Sequence, residues 1–219
     1  MKMRDFALAG AVLSLSGGAA FADMVSFCTD ASTSTNSTPT GVSLDGTIEY
    51  TYTGGNSGQL VFSITNTTSS SIGGFFTGLV FNIGSSDSNA TATLSATSDA
   101  DFRDTGVEAA NPFGIFDAGA ALKANWSGGG NPTKGIGAGL SAMFTFSILA
   151  SDASSLSAMD FLGDGDDIAI RFRGLVNGQS DKLLVEEVPL NVVPLPAPAL
   201  AGGAMLGLGL AARRLRARG

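Results

Sequence analysis

The sequence predicts an all-β domain, an antiparallel β-sandwich of jelly-roll or Ig-like form, flanked by an N-terminal signal peptide and a C-terminal hydrophobic helix. Three observations point there. Apolar and polar residues alternate at period two through most of the middle of the chain, the spacing of a sheet with one buried face. Glycine, asparagine, serine and aspartate gather between those runs, where tight turns need them. No strand–helix–strand rhythm occurs, which argues against a parallel sheet with crossover helices.

The elements follow in chain order. Residues 23–41 read as a flexible polar lead-in, because 29–41 (TDASTSTNSTPTG) offers no core-forming side chain. The β domain then spans 42–190. Residues 47–52 set Ile48, Tyr50 and Tyr52 on one face, 54–58 (GGNSG) turn the chain, and 59–66 set Leu60, Phe62 and Ile64 on one face. Together these predict an antiparallel hairpin. Residues 78–83 carry Leu79, Phe81 and Ile83, and 91–96 form a weaker, threonine-rich strand. Ala142, Phe144, Phe146 and Ile148 point inward along 141–149, and Ile168, Ile170 and Phe172 do so along 167–173. A last short strand falls at 182–186, giving seven or eight in all. Between them, 151–162 predicts one or two helical turns, with Ser151 or Asp152 as N-cap and Leu156 and Met159 facing the core. Fourteen phenylalanines against one tryptophan predict packing between the sheets that is rich in phenylalanine.

Composition narrows the chemistry. Six of the twelve basic residues and eighteen of the nineteen acids fall between Asp23 and Asn191, so that stretch carries −12. Such a body repels phosphate backbones and anionic lipid, which excludes nucleic acid as a partner. The chain has no histidine, which removes Ser-His and Cys-His nucleophile pairs and most catalytic zinc sites. With Cys28 as its one cysteine, it forms no intrachain disulfide.

Both ends read as addresses. In 1–22, Lys2 and Arg4 precede the apolar run FALAGAVLSL at 6–15, too short to span a bilayer of about 30 Å. Ala20 and Ala22 form the small-x-small site of a signal peptidase, making Asp23 the first mature residue. Phe27 precedes Cys28, where a lipoprotein would carry a small residue. At 193–219 a proline-stiffened segment, Val193, Pro194, Leu195, Pro196 and Ala197, comes first. An uncharged Ala/Gly/Leu/Met run follows, and Arg213, Arg214, Arg216 and Arg218 close the chain. As a helix, 199–212 reaches about 21 Å, short for a membrane unless the bilayer thins or the arginines snorkel. Those arginines act as a basic stop on the cytoplasmic side, leaving the β domain outside.

The tail resembles the PEP-CTERM class of sorting signals in its VPLPA-CTERM variant, matching Val193 to Ala197 letter for letter, with the apolar run and basic end in the same order. The resemblance implies an exosortase substrate of a Gram-negative bacterium. It implies transient anchoring in the inner membrane by the C-terminal helix, cleavage near the motif, and delivery to the cell surface or secretion. Such systems often accompany exopolysaccharide production. The segments WSGGGNP at 126–132, MFTF at 143–146 and RFRGL at 171–175 are similar, more loosely, to patterns of exported PEP-CTERM domains, most of which have no assigned activity. A plain C-terminal membrane anchor is the alternative reading of the tail.

Candidate sites are few. Asp160, Asp164, Asp166 and Asp167 surround a glycine turn and offer the hard oxygens that Ca²⁺ takes. The spacing departs from an EF-hand, and a hairpin turn is the competing reading. No other cofactor is called for. Trp126, beside a glycine-rich loop and Asn125, offers a ring to stack on a sugar, or else plugs one end of the sandwich. No pair of carboxylates stands out as a general acid and base. The expectation is a non-enzymatic surface or matrix protein. A carbohydrate-binding module for exopolysaccharide is the alternative, and a secreted glycan hydrolase the third reading.

Overall fold

The computed structural model describes residues 22–128, 130–163 and 167–188. The first strands are β1 (Asp23–Thr29), β2 (Leu44–Gly54), β3 (Ser57–Asn66), β4 (Gly73–Phe81) and β5 (Thr91–Thr97). Short strands follow: β6 (Phe102–Asp104), β7 (Glu108–Ala109), β8 (Ile115–Phe116) and β9 (Ala118–Leu122). Then come β10 (Ser141–Leu149), the single-turn helix α1 (Met159–Leu162), β11 (Ile168–Leu175) and β12 (Ser180–Glu187). Ten strands form one antiparallel sheet in the order β5-β10-β3-β2-β1-β12-β11-β4-β9-β6, and β7 and β8 pair apart from it.

The sheet curls until its two edges nearly meet, approaching a closed barrel. Asp104 of β6 accepts a hydrogen bond from the Leu94 amide of β5 at 2.6 Å. The ring of Phe102 meets Phe144 of β10 edge-on at 5.0 Å. Closure hides edges that would otherwise recruit other chains. The interior is filled by aromatic rings. Phe81 of β4 lies 4.9 Å from Phe146 and 5.1 Å from Phe62, while Phe76 stacks on Phe102 at 5.7 Å and meets Phe144 at 6.0 Å. Tilted and edge-on contacts of this kind suit the charge distribution of the rings. Tyr50 is buried yet satisfied, donating its hydroxyl to the Ala153 carbonyl at 2.7 Å.

Three expectations are corrected. Residues 23–41 are not a loose lead-in: β1 lies between β2 and β12 in the middle of the sheet, with Val25 and Phe27 buried. Gly46 sits opposite Phe27, and a Cβ there would lie 2.5 Å from the Phe27 ring; the missing side chain makes room for the ring. The polar run after β1 then follows β12, with Asp30 and Thr35 donating backbone N–H groups to the Leu184 and Lys182 carbonyls. Tyr52 is 39 % exposed rather than inward, because β2 runs into the hairpin turn there. Within 151–162, Met159 is exposed and Phe161 and Leu162 fill the core instead, since the one helical turn starts at Met159. Asp152 stands at the N-cap of a 3-10 turn without capping it.

A second, smaller core lies outside the sheet. The segments on either side of β9, 105–117 and 123–128, lie over the outer side of β4 and β11, where Val80 and Ala169 pack with Ala110, Phe116 and Trp126. This layer explains why β9 is buried along its whole length.

Candidate functional site

The predicted site residues scatter. Asp160 and Asp167 both border a hollow of about 600 Å³ with Glu186 and Glu187. Both aspartates are already engaged. Asp160 accepts from the Ser157 amide and hydroxyl at 2.7 and 2.8 Å, and Asp167 from the Asn82 amide at 3.0 Å. Asp164 and Asp166 lie outside the described residues. Among the described residues no three His, Cys, Asp or Glu side chains come together to hold a metal ion. At the proposed cleavage site, Ala22 is exposed and Asp23 starts β1, its carboxylate accepting from the Ala158 amide at 3.0 Å; Ala20 lies outside the described residues. So do the motif from Val193 to Ala197 and the four terminal arginines. Among the described residues no helix is long and apolar enough to cross a membrane.

Trp126 corrects an expectation: it is 1 % exposed and presents no face to a sugar. The reason is local. Lys123 and Ala124 both take left-handed backbone angles, φ 54° and 55°, a strain of about 1–3 kcal/mol each for residues with a Cβ. They turn the chain back onto the sheet. There the indole settles over Gly78, where an added Cβ would stand 3.3 Å from Trp126 Cε3 and 3.1 Å from Ala121.

Beside that indole runs a row that sequence reasoning missed. Lys182, Arg171, Gly78 and Ala121 are register partners on β12, β11, β4 and β9. Arg171 therefore stands directly opposite Lys182, a like-charge pair that ordinarily destabilises a sheet. Neither makes an ion pair among the described residues, where Lys134 with Asp101 forms the salt bridge. Instead the cations staple the overlying layer by its carbonyls: Arg171 Nη1 donates to Trp126, Lys182 Nζ to Asn111, and Arg173 Nη1 to Gly130. Burial, with Arg173 adding to it, pulls the Arg171 pKa down, and burial with Arg171 does the same to Lys182. Among the described residues two buried side-chain nitrogens lack a partner, Trp126 Nε1 and Arg171 Nε. An orphaned buried donor costs about 1–3 kcal/mol. The signal in the sequence was RFR, three letters with two like charges on one face of a strand.

Two other features bear on chemistry. An open, largely apolar groove of about 850 Å³ crosses the outer side of β1, β2, β3 and β10, where Met143 and Val188 lie among the hydroxyls of Ser26, Thr47, Ser63 and Thr65. The carboxylates Asp87, Asp152 and Asp181 all have lowered pKa values, Asp152 to about 2 through Ser85 and Ser86. A general acid needs the opposite shift. No family model, curated protein or solved structure matches the chain.

Proposed function

We propose that the chain is an exported, non-enzymatic surface or extracellular-matrix component, sorted by its VPLPA-type tail. The carrying observation is the order of parts: a leader ending at Ala22, an acidic β body, then motif, apolar run and basic end. The body's sheet begins at Asp23, the residue after the small-x-small site, which agrees with removal of everything before it. We read the nearly closed sheet as a flattened β-sandwich, β5-β10-β3-β2 facing β12-β11-β4-β9. The Phe62–Phe81 and Phe76–Phe144 contacts between those halves favour this reading.

A second reading, binding of a neutral glycan, is favoured by the groove across β1, β2, β3 and β10, which sets serine and threonine hydroxyls beside apolar surface, rather than by Trp126. Fractionation of the native host with intact-mass measurement tests the main proposal. The expected product begins at Asp23, ends near Ala197 and sits at the outer surface or in the medium. A full-length chain recovered from cytosol overturns it.

A further inference from the structure

We propose that the rung formed by Arg171 and Lys182 beside Trp126 is a binding site for an oxyanion, a sulfate- or carboxylate-type group. This goes beyond the sorting proposal and does not depend on it. Three observations converge on one place. First, two cations stand opposite each other on adjacent strands with no ion pair to a carboxylate among the described residues, in a body whose acids outnumber its bases three to one. In so acidic a chain, a random surface lysine or arginine finds an acid easily; these two meet each other. Second, the two orphaned buried donors of the described structure belong to Arg171 and to Trp126, whose carbonyl Arg171 holds. Third, Trp126 is itself 1 % exposed, so the indole N–H that lacks an acceptor lies within the layer that the two cations staple. Carbonyl acceptors on Trp126 and Asn111 orient the two cations without neutralising them.

The chemistry selects the ligand class. Guanidinium offers five N–H donors in a plane and meets an oxyanion with two at once. One of the five is spent on the Trp126 carbonyl, and Nε faces no acceptor. Lys182 adds a second positive charge from the neighbouring strand. An oxyanion set against both cations removes the repulsion across the rung. A cation adds to that repulsion, and a neutral hydroxyl ligand leaves it in place.

Trp126 is the chain's single tryptophan, which makes it a local reporter. The full-length chain in non-ionic detergent is titrated with sodium sulfate and, separately, with sodium glucuronate, ionic strength being held constant with sodium chloride. Tryptophan emission is expected to change saturably with at least one of the two, and Arg171→Met and Lys182→Gln to weaken the apparent affinity at least tenfold. Sulfate alone marks an inorganic or ester oxyanion as the ligand; glucuronate marks the carboxylate of an acidic sugar. Because Arg171 also staples the Trp126 loop, Lys182→Gln serves as the variant that keeps the fold, checked by its melting temperature. Emission that follows chloride as closely as sulfate and glucuronate, or that titrates identically in Lys182→Gln and the parent, overturns the site.

Discussion

Asp181 shows how one buried charge organises a stretch of chain that hydropathy reads as empty. It is 1 % exposed and accepts from the Ser34 hydroxyl at 2.7 Å, the Thr40 hydroxyl at 2.5 Å, and the Thr35 amide at 3.1 Å. Its neighbour Lys182 adds a backbone N–H at 2.8 Å. Burial alone raises its pKa, but the donors from 34–40 and Lys182 together outweigh it and bring the value below the usual range. The sign for stability follows. The unfolded carboxyl titrates at about 3.9, so the contribution is complete above that value and is lost as pH falls through the lower, folded one. Asp181→Ala is expected to cost about 2–3 kcal/mol at neutral pH, since it strands several buried donors. Urea midpoints measured from pH 7 down to pH 2 should also show a shallower acid limb in Asp181→Asn than in the parent. An acid limb of unchanged slope removes Asp181 from the account. Nothing in TDASTSTNSTPTG announces this, because the partner lies on the last strand and a hydrogen bond leaves no hydropathy pattern.

At the scale of elements, long strands with clean alternation were legible and short or doubly buried ones were not. Residues 59–66 and 141–149 alternate without a break, and β3 and β10 form there with Leu60, Phe62, Ile64, Phe144 and Phe146 inward. Strand β9 (AGAAL) is buried on both faces, so no period-two signal survives, and small side chains suggest nothing in particular. Strand β1 shows only Val25 and Phe27 inward, two residues squeezed between a cleavage signal and a polar run. Its importance comes from position. It bridges β2 and β12, joining the halves of the sheet, and its Phe27 ring meets Phe62 edge-on at 6.4 Å. Phe27→Ala is expected to cost about 3–5 kcal/mol, a large share of the roughly 5–15 kcal/mol that holds a domain together. Equilibrium urea denaturation checks it; a loss under 1 kcal/mol shows that β1 is a dispensable appendage. Of the candidate site, the sequence displayed the charges of RFR and the lone tryptophan. Their juxtaposition depended on the register of β11 against β12 and on the path of 123–128 over β4, neither of which composition encodes.

For the molecule as a whole, the decisive question is how a ten-stranded antiparallel sheet protects its two edges. The edges are short or threonine-rich, β6 with three residues and β5 with three threonines in seven, and they face each other across the seam. Asp104 holds that seam from β6. One carboxylate oxygen takes the Leu94 amide of β5 at 2.6 Å, while the other takes the Gly106 amide at 2.6 Å and fixes the chain just beyond β6. A single side chain thus satisfies one edge donor and anchors the segment that begins the outer layer. Beneath it, the contact between Phe102 and Phe144 supplies the apolar part of the closure. Removing the carboxylate leaves those rings in place, so the global penalty is small, about 1–2 kcal/mol, while the β5 edge opens to solvent and to other chains. Asp104→Ala is therefore expected to speed amide hydrogen exchange at Leu94 and its neighbours in β5 far more than in β2 or β3. Association visible by light scattering should rise as protein concentration is raised. Equal exchange in β5 for parent and variant would mean that the rings alone close the sheet and that Asp104 only decorates the seam.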